Sequence, residues 1–398
     1  MGGIIMVRTV GTTVRGIRTP IIKRGDDLIN IVIESLLNSV ETEKYPLHDR
    51  DVLGITESLL ARAQGNYATV DDIATDINQK FSTDIGLVFP MLSRNRFSLI
   101  LKGIVLSGKK VFLFLNYPSD ELGNHLMDVD LMDDLGINPY NDVLTEADYR
   151  RLFGEHVAHP FTGIDYVKMY KDIDPKKIEI YFTNNPKVAL EFSPEILVAN
   201  IHERKRTKKQ LLKCGATKVL GLDEILDRPI NGSGCNPDFG LLGSNKATET
   251  ELKLFPRNCQ ETVDEIQRLI KEKTGKTIEV LIYGDGAFKD PVGKIWELAD
   301  PVVSPGFTKG LQGTPHEIKL KYLADNEFNN MDHSDLTRAM IKRIKEKDIS
   351  TNDADTFGTT PRQITDLLGS LCDLTSGSGD KGTPVVLIQG YFDNFVSE

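Results

Sequence analysis

The segment "NCQETVDEIQRLIKEKTGKTIEVLIYGDG", residues 258–286, constrains the fold more than any other part of the chain. Val263, Ile266, Leu269 and Ile270 recur at helical spacing, Gly275 supplies a stop, and an apolar run follows that reads as a buried strand over 278–283. Helix, glycine stop and buried strand in that order require a layered structure in which helices cover a sheet. The strand then empties into Gly284-Asp285-Gly286, with Lys289, Asp290, Gly293 and Lys294 close behind. Glycine lets backbone amides approach a ligand and open toward an anion, and Asp285 faces the same opening. A carboxylate there suits a hard divalent cation, which takes oxygen donors and leaves positions for water and phosphate. Lys289 and Lys294 are candidates to neutralise phosphate oxygens, and Asp290 is either a second metal ligand or the partner of one lysine. The plainer alternative is a surface turn in which glycine supplies positive φ and the charges are solvated.

The same periodicity organises the rest of the chain. "VRGIRTPIIKR" reads as a strand entering a turn, and the next segment puts Leu28, Val32, Ile33, Leu36 and Leu37 on one helical face, with Asp26 and Asp27 at the helix start. "DRDVLGITESLLARAQGNY" reads as strand, turn and short helix closed by Gly65. "GIVLSGKKVFLFLNYP" reads as two strands joined at Ser107-Gly108. Residues 140–231 hold short apolar strands and one clear helix, "TKKQLLKCGA", and are expected to form an inserted α/β subdomain between flanking parts at 1–139 and 232–398. "PRQITDLLGSLCDL" is a helix and "VVLIQGYF" a buried strand near the carboxyl end.

Function classes narrow by exclusion. No run approaches the roughly 18 apolar residues of a membrane helix, and the amino terminus lacks the apolar centre of a signal peptide, so a cytoplasmic protein is expected. The 48 basic and 58 acidic residues leave a net charge of −10, which repels nucleic acid; the basic run "RKRTKK" reads as the solvated first turn of a helix. Four scattered cysteines make neither a disulfide framework nor a thiolate zinc site. No GxxxxGK[ST] motif occurs, so a nucleotide needs another cradle. The stretch "NGSGCNPDFGLLGSNKATE" offers one, with Ser244, Asn245, Lys246 and Thr248 as donors; otherwise it is a long ordered loop. His156 and His159 share a spacing that metal ligands use, but Pro160 interrupts the helix this needs. Asp165 in "TGIDYV" is a further candidate carboxylate.

These residues resemble the coenzyme F-420 gamma-glutamyl ligases at four places in order. They are "TPIIKRGDDLINIV", "RDVLGITESLLARAQGNY", "TGKTIEVLIYGDGAFKDP" and "ITDLLGSLCDLTSGSGDKGTPVVLIQGY". The resemblance implies an α+β fold with mixed sheets, enlarged here by the insertion, and a homodimer. It implies a ligase that adds L-glutamate to a small-molecule carboxylate acceptor, using GTP or ATP and magnesium or manganese. Asp285 falls on the family's metal-binding Asp, while Gly286 replaces the Thr that follows it. "GLLGSN" keeps Ser244 and Asn245 but has Leu242 where the family has a carboxylate, a place for which Asp165 is the candidate substitute. Arg62 stands for the family's Lys. Asp285, Lys289 and Lys294 are then the expected catalytic group; Asp285, Asp290 and Asp165 the metal ligands; and Ser244, Asn245, Lys246, Arg62, Gly284 and Gly286 the cofactor contacts. A folate-type glutamyl ligase, or a non-catalytic nucleotide-binding protein on the same scaffold, stays open beside this reading.

Overall fold

The computed structural model describes residues 9–286, 300–315, 317–347, 362–376, 379–394 and 396. In chain order the first part holds β1 (Thr13–Ile17), α1 (Leu28–Glu43), β2 (Val52–Thr56), α2 (Glu57–Ala63), β3 (Tyr67–Thr69), α3 (Val70–Lys80), β4 (Ile85–Val88), α4 (Phe97–Leu106) and β5 (Val111–Leu115). The middle holds α5 (Val129–Asp134), β6 (Leu144–Thr145), α6 (Glu146–Phe153), α7 (Tyr166–Lys171), β7 (Ile178–Phe182), β8 (Glu195–Val198), α8 (Arg204–Lys213) and β9 (Lys218–Gly221). The remainder holds β10 (Asn245–Lys246), β11 (Glu251–Lys253), α9 (Cys259–Thr274), β12 (Glu279–Tyr283), β13 (Gly306–Phe307), α10 (Leu320–Asp325), α11 (His333–Lys345), α12 (Ile364–Ser376) and β14 (Val385–Gln389). The fold is α+β, and no described helix is long and apolar enough to cross a membrane.

The two ends of the chain build one mixed sheet, β1-β14-β2-β12-β13, in which β2 and β12 run parallel and Tyr283 lies opposite Thr56. Of its three central strands, β12 and β14 are buried along their whole length and β2 as far as Ile55, because helices cover both faces. Val32 and Ile33 of α1 and Val263, Ile266 and Ile270 of α9 pack on one face, against Leu53, Ile55, Val280 and Ile282. Leu368 and Cys372 of α12 pack on the other, against Val52, Leu281 and Tyr283. The caps agree with the sequence pattern: Asp27 accepts from the Asn30 amide, and Gly275 ends α9 at φ 71°.

The middle of the chain builds a six-stranded sheet, β6-β7-β5-β4-β8-β9, parallel except at β6. A three-stranded antiparallel sheet, β10-β11-β3, lies beside it in the chain path. The boundary drawn at residue 140 falls inside one hydrogen-bonded layer, since β4 and β5 pair with β8 and β7; the α/β layer therefore begins upstream of it. A second correction concerns "GIVLSG". It is the end of helix α4, not a strand, and Ser107-Gly108 turn the chain from that helix into β5. Phe97, Leu99, Ile100, Leu101, Gly103, Ile104 and Val105 are all buried, and only Ser98 and Lys102 mark a polar stripe, too narrow for a 3.6-residue period to stand out.

Close packing of α12 on the sheet is sharpest at Gly54, where an added Cβ would stand 2.4 Å from Cys372 Sγ. Gly54→Ala is expected to cost about 1–3 kcal/mol by overpacking, and Cys372→Ala in the same chain to recover part of that loss. Urea unfolding of the two single variants and the double variant checks it; additive losses would place the strain elsewhere.

Candidate functional site

Parallel pairing brings the carboxyl ends of β2 and β12 side by side, so the residues that follow them are neighbours. Glu57 opens α2 directly after β2, and Gly284-Asp285-Gly286 follows β12. Glu57 is buried and takes both of its hydrogen bonds from Lys253 Nζ, at 2.8 and 2.9 Å. Burial pushes its carboxyl up and Lys253 opposes that shift, while Asp300 adds to it.

The loop's amides are committed within the protein. Gly284 N donates to Val303 O at 2.8 Å, Asp285 N to Asp300 Oδ2 at 2.8 Å, and Gly286 N to Asp373 Oδ2 at 2.9 Å. Glycine is required at 284 because a Cβ would lie 2.1 Å from Asp300 Oδ2. The backbone thus opens toward anions as expected, but the anions it meets are the chain's own carboxylates.

Arg96, at the start of α4, closes the cluster. It donates to Asp285 Oδ2 at 2.6 Å and to Asp300 Oδ1 at 3.0 Å. Burial works to lower the guanidinium pKa, but Asp300 and Asp285 outweigh it and hold the group above its ordinary value. Four carboxylates, Glu57, Asp285, Asp300 and Asp373, stand against the two cations Arg96 and Lys253. Asp285 is the accessible member, with a third of its side chain exposed, whereas Asp300 is buried.

Among the expected site residues, the structure brings the Ser244 loop to this cluster. Ser244 and Arg96 line the same void of about 20 Å³, and the Ser244 hydroxyl is buried with no hydrogen-bond partner among the described residues. A Cβ on the preceding Gly243 would stand 2.8 Å from Pro301 Cδ, next to Asp300. Asn245 lies opposite Lys253 in the β10–β11 pair, and Lys246 N donates to Asn95 O at 2.7 Å. Other candidates lie apart from it. Arg62 is exposed near the far end of α2. Asp165 caps α7, and its carboxylate is taken by Arg150 at 2.7 and 3.1 Å together with the amides of Val157 and Lys168; these contacts hold it below its usual range against burial. His159 is buried, with its ring packed edge-on to Tyr166. Lys289, Asp290 and Lys294 lie outside the described residues.

Glu57, Arg96, Lys253, Asp300 and Asp373 were not among the residues expected from the sequence. Glu57 had a usable signal, because side chains at the carboxyl ends of adjacent parallel strands converge. Arg96 had none, being 189 residues from Asp285.

No group of three or more His, Cys, Asp or Glu side chains among the described residues is arranged to hold a metal. Arg96 already supplies the countercharge that Asp285 and Asp300 need, so the metal expected at Asp285 does not fit the described side chains as they stand.

Removing Arg96 leaves Asp300 buried and uncompensated, so Arg96→Ala is expected to lose about 3–5 kcal/mol of stability, measured by urea unfolding. Asp373 gives a pH test. Burial lifts its carboxyl, the Gly286 amide lowers it, and Asp300 lifts it again, with a net upward shift. The folded state then binds more protons than the unfolded state between the usual carboxylate range and the raised value, so the group's cost is absent below that window and full above it. Asp373→Asn is expected to raise the unfolding midpoint at pH 7.5 and to lose that advantage near pH 4; an equal effect at both values would overturn the assignment.

A family model described as F420-0:Gamma-glutamyl ligase matches residues 16–390. No curated protein matches the chain.

Proposed function

The chain belongs to the F420-0:Gamma-glutamyl ligase family, and from that premise we propose that it joins L-glutamate, or another amino acid, to a small-molecule carboxylate at the cluster around Asp285. The observation that carries this reading is the position of Asp285, partly exposed at the carboxyl end of β12 and paired with Arg96, which lines one small void together with Ser244. GTP, or ATP, is the proposed co-substrate. An acceptor carboxylate oxygen attacks the γ-phosphorus, the bond to the bridging oxygen of the β-phosphate breaks, and nucleoside diphosphate leaves. The amine then attacks the acyl carbon of the resulting acyl phosphate, gives up a proton, and phosphate departs.

Both steps gather negative charge on transferring oxygens, and a preorganised donor that needs no reorientation stabilises such charge most. Arg96, kept charged and oriented by two carboxylates, suits that part. Asp285 is the carboxylate placed to take the proton of the amine, and the unsatisfied Ser244 hydroxyl, with Asn245, suits orientation of the nucleotide or acceptor. Lys289 and Lys294 remain the proposed phosphate contacts. Magnesium or manganese belongs to the proposal through the family alone, and no step is assigned to it. The homodimer belongs to it on the same ground. One observation favours the second reading, a nucleotide-binding protein without turnover: Arg96 occupies Asp285 and Asp300 together.

Release of nucleoside diphosphate from GTP, with manganese, L-glutamate and a panel of deazaflavin and folate-type acceptors, separates the two readings. Glutamate-stimulated release is expected, and Asp285→Asn is expected to lower it about 100-fold or more, with a folded protein of lower melting temperature because Arg96 keeps Asp300 but loses one of its two carboxylates. Undiminished turnover in that variant removes Asp285 from the mechanism, and nucleotide binding without release supports the second reading.

A further inference from the structure

The six-stranded sheet carries an opening that the ligase cluster does not use. Apart from β6, its order is β7-β5-β4-β8-β9 and every pair is parallel. Successive strands are laid outward from β4 on one side as far as β7, and the chain then returns to place β8 and β9 on the other side. The winding reverses between β4 and β8, where the connections leaving the carboxyl ends turn to opposite faces; open parallel sheets bind ligands in the crevice this creates. A cleft of about 570 Å³ lies there, lined by Phe89 after β4, residues 116–121 after β5, residues 184–187 after β7 and residues between 200 and 210 after β8.

Asn200 points to a ligand. It lines the cleft and is 4% exposed. Its Nδ2 donates to Thr207 Oγ1 at 3.1 Å, and the Thr207 hydroxyl spends its own proton on Glu203 O at 3.2 Å. That chain of donation fixes the amide orientation, and Asn200 Oδ1 is left with no hydrogen-bond partner among the described residues. A buried carbonyl oxygen left without a donor is destabilising. A ligand O–H or N–H in the cleft would satisfy it.

Glu121 takes the place where an anion would bind. Its carboxylate accepts from the backbone amides of Ile201 and of His202, the second at 3.1 Å, in the connection from β8 to α8. Amides leading into a helix at this end of a parallel sheet commonly receive a phosphate. Here a carboxylate holds them, so that place is closed to a phosphate; of the other charged groups on the lining, Glu203 pairs with Arg206 at 3.3 Å, Asp120 is taken by the amides of Leu92, Leu122 and Asn124, and Lys187 is exposed. The rest of the lining is rich in amides, with Asn116, Asn185 and Gln210 able both to donate and to accept, as vicinal hydroxyls do. Phe89 and Pro118 add apolar wall.

We propose that this cleft binds a neutral polyhydroxylated ring, either the ribose of a nucleoside or a free sugar, with one hydroxyl donating to Asn200 Oδ1. The site is separate from the ligase cluster and does not depend on the ligase reading.

Isothermal titration calorimetry on the full chain with adenosine, D-ribose, D-glucose and inorganic phosphate tests it. Saturable binding of adenosine alone identifies a nucleoside, and saturable binding of ribose or glucose identifies a free sugar; either supports the proposal. Asn200→Leu is expected to weaken that binding at least about tenfold, the equivalent of 1.4 kcal/mol. Gln210→Ala, at an exposed position, is expected to weaken it several-fold and decides the matter if the first variant does not fold. Asp285→Asn is expected to bind the probe as the parent does, so failure of the ligase mechanism leaves this result standing. The proposal is overturned by the absence of saturable heat with adenosine, ribose and glucose, by saturable phosphate binding, by undiminished affinity in both cleft variants, or by loss of binding in Asp285→Asn.

Discussion

The candidate site depends on one guanidinium. Arg96 enters from the start of α4, in the six-stranded layer, and is held by Asp285 and Asp300, which belong to the five-stranded part of the chain. Desolvation of a buried cation is costly, and only well-placed carboxylates offset it. Two do so here. Such a triad contributes little more net stability than apolar side chains of the same volume would, but it tolerates no misplacement, because any shift leaves charge buried and unpaired. The two sheets are thereby tied together at one point by paired charge.

What the sequence revealed and what it hid divides along the same line. Periodicity exposed α1, α9 and α12 because each buries one face and leaves the other in solvent. It failed for α4, buried on nearly every side, where the β-branched Ile104 and Val105 read as strand. The loop after β12 was legible as a place of importance, since glycine beside aspartate at a strand end is a local signal. Its meaning was not, because the groups that define it are distant: Asp373 is 87 residues from Gly286, and Asp300 is 204 from Arg96. The edge of the middle layer was misplaced for a related reason. Parallel strands pair across long connections, so β4 and β5 carry nothing in their own residues that ties them to β7 and β8.

Both candidate sites obey one topological rule with opposite chemistry. Each lies beyond the carboxyl ends of adjacent parallel strands, β2 and β12 in one sheet, β4 and β8 in the other. In the first the amides of the loop are given to buried carboxylates, which makes the site a charged knot with a partly exposed acid at its surface. In the second one carboxylate, Glu121, takes the amides, and the lining that remains is mostly uncharged. The placement of acids on backbone amides thus sets which kind of ligand each opening admits.

The knot also limits how a metal could act at Asp285. Arg96 holds Asp285 Oδ2 and Asp300 Oδ1, while Asp300 Oδ2 accepts from the Asp285 amide, so a divalent cation there would stand beside a buried like charge. Turning Arg96 out to make room would strand Asp300, which is only 4% exposed, with no countercharge at its buried end. That loss is of the order of 3–5 kcal/mol, comparable to a large share of a domain's whole stability. Arg96 therefore stays in place, and its charge is the one that Asp285 and Asp300 balance.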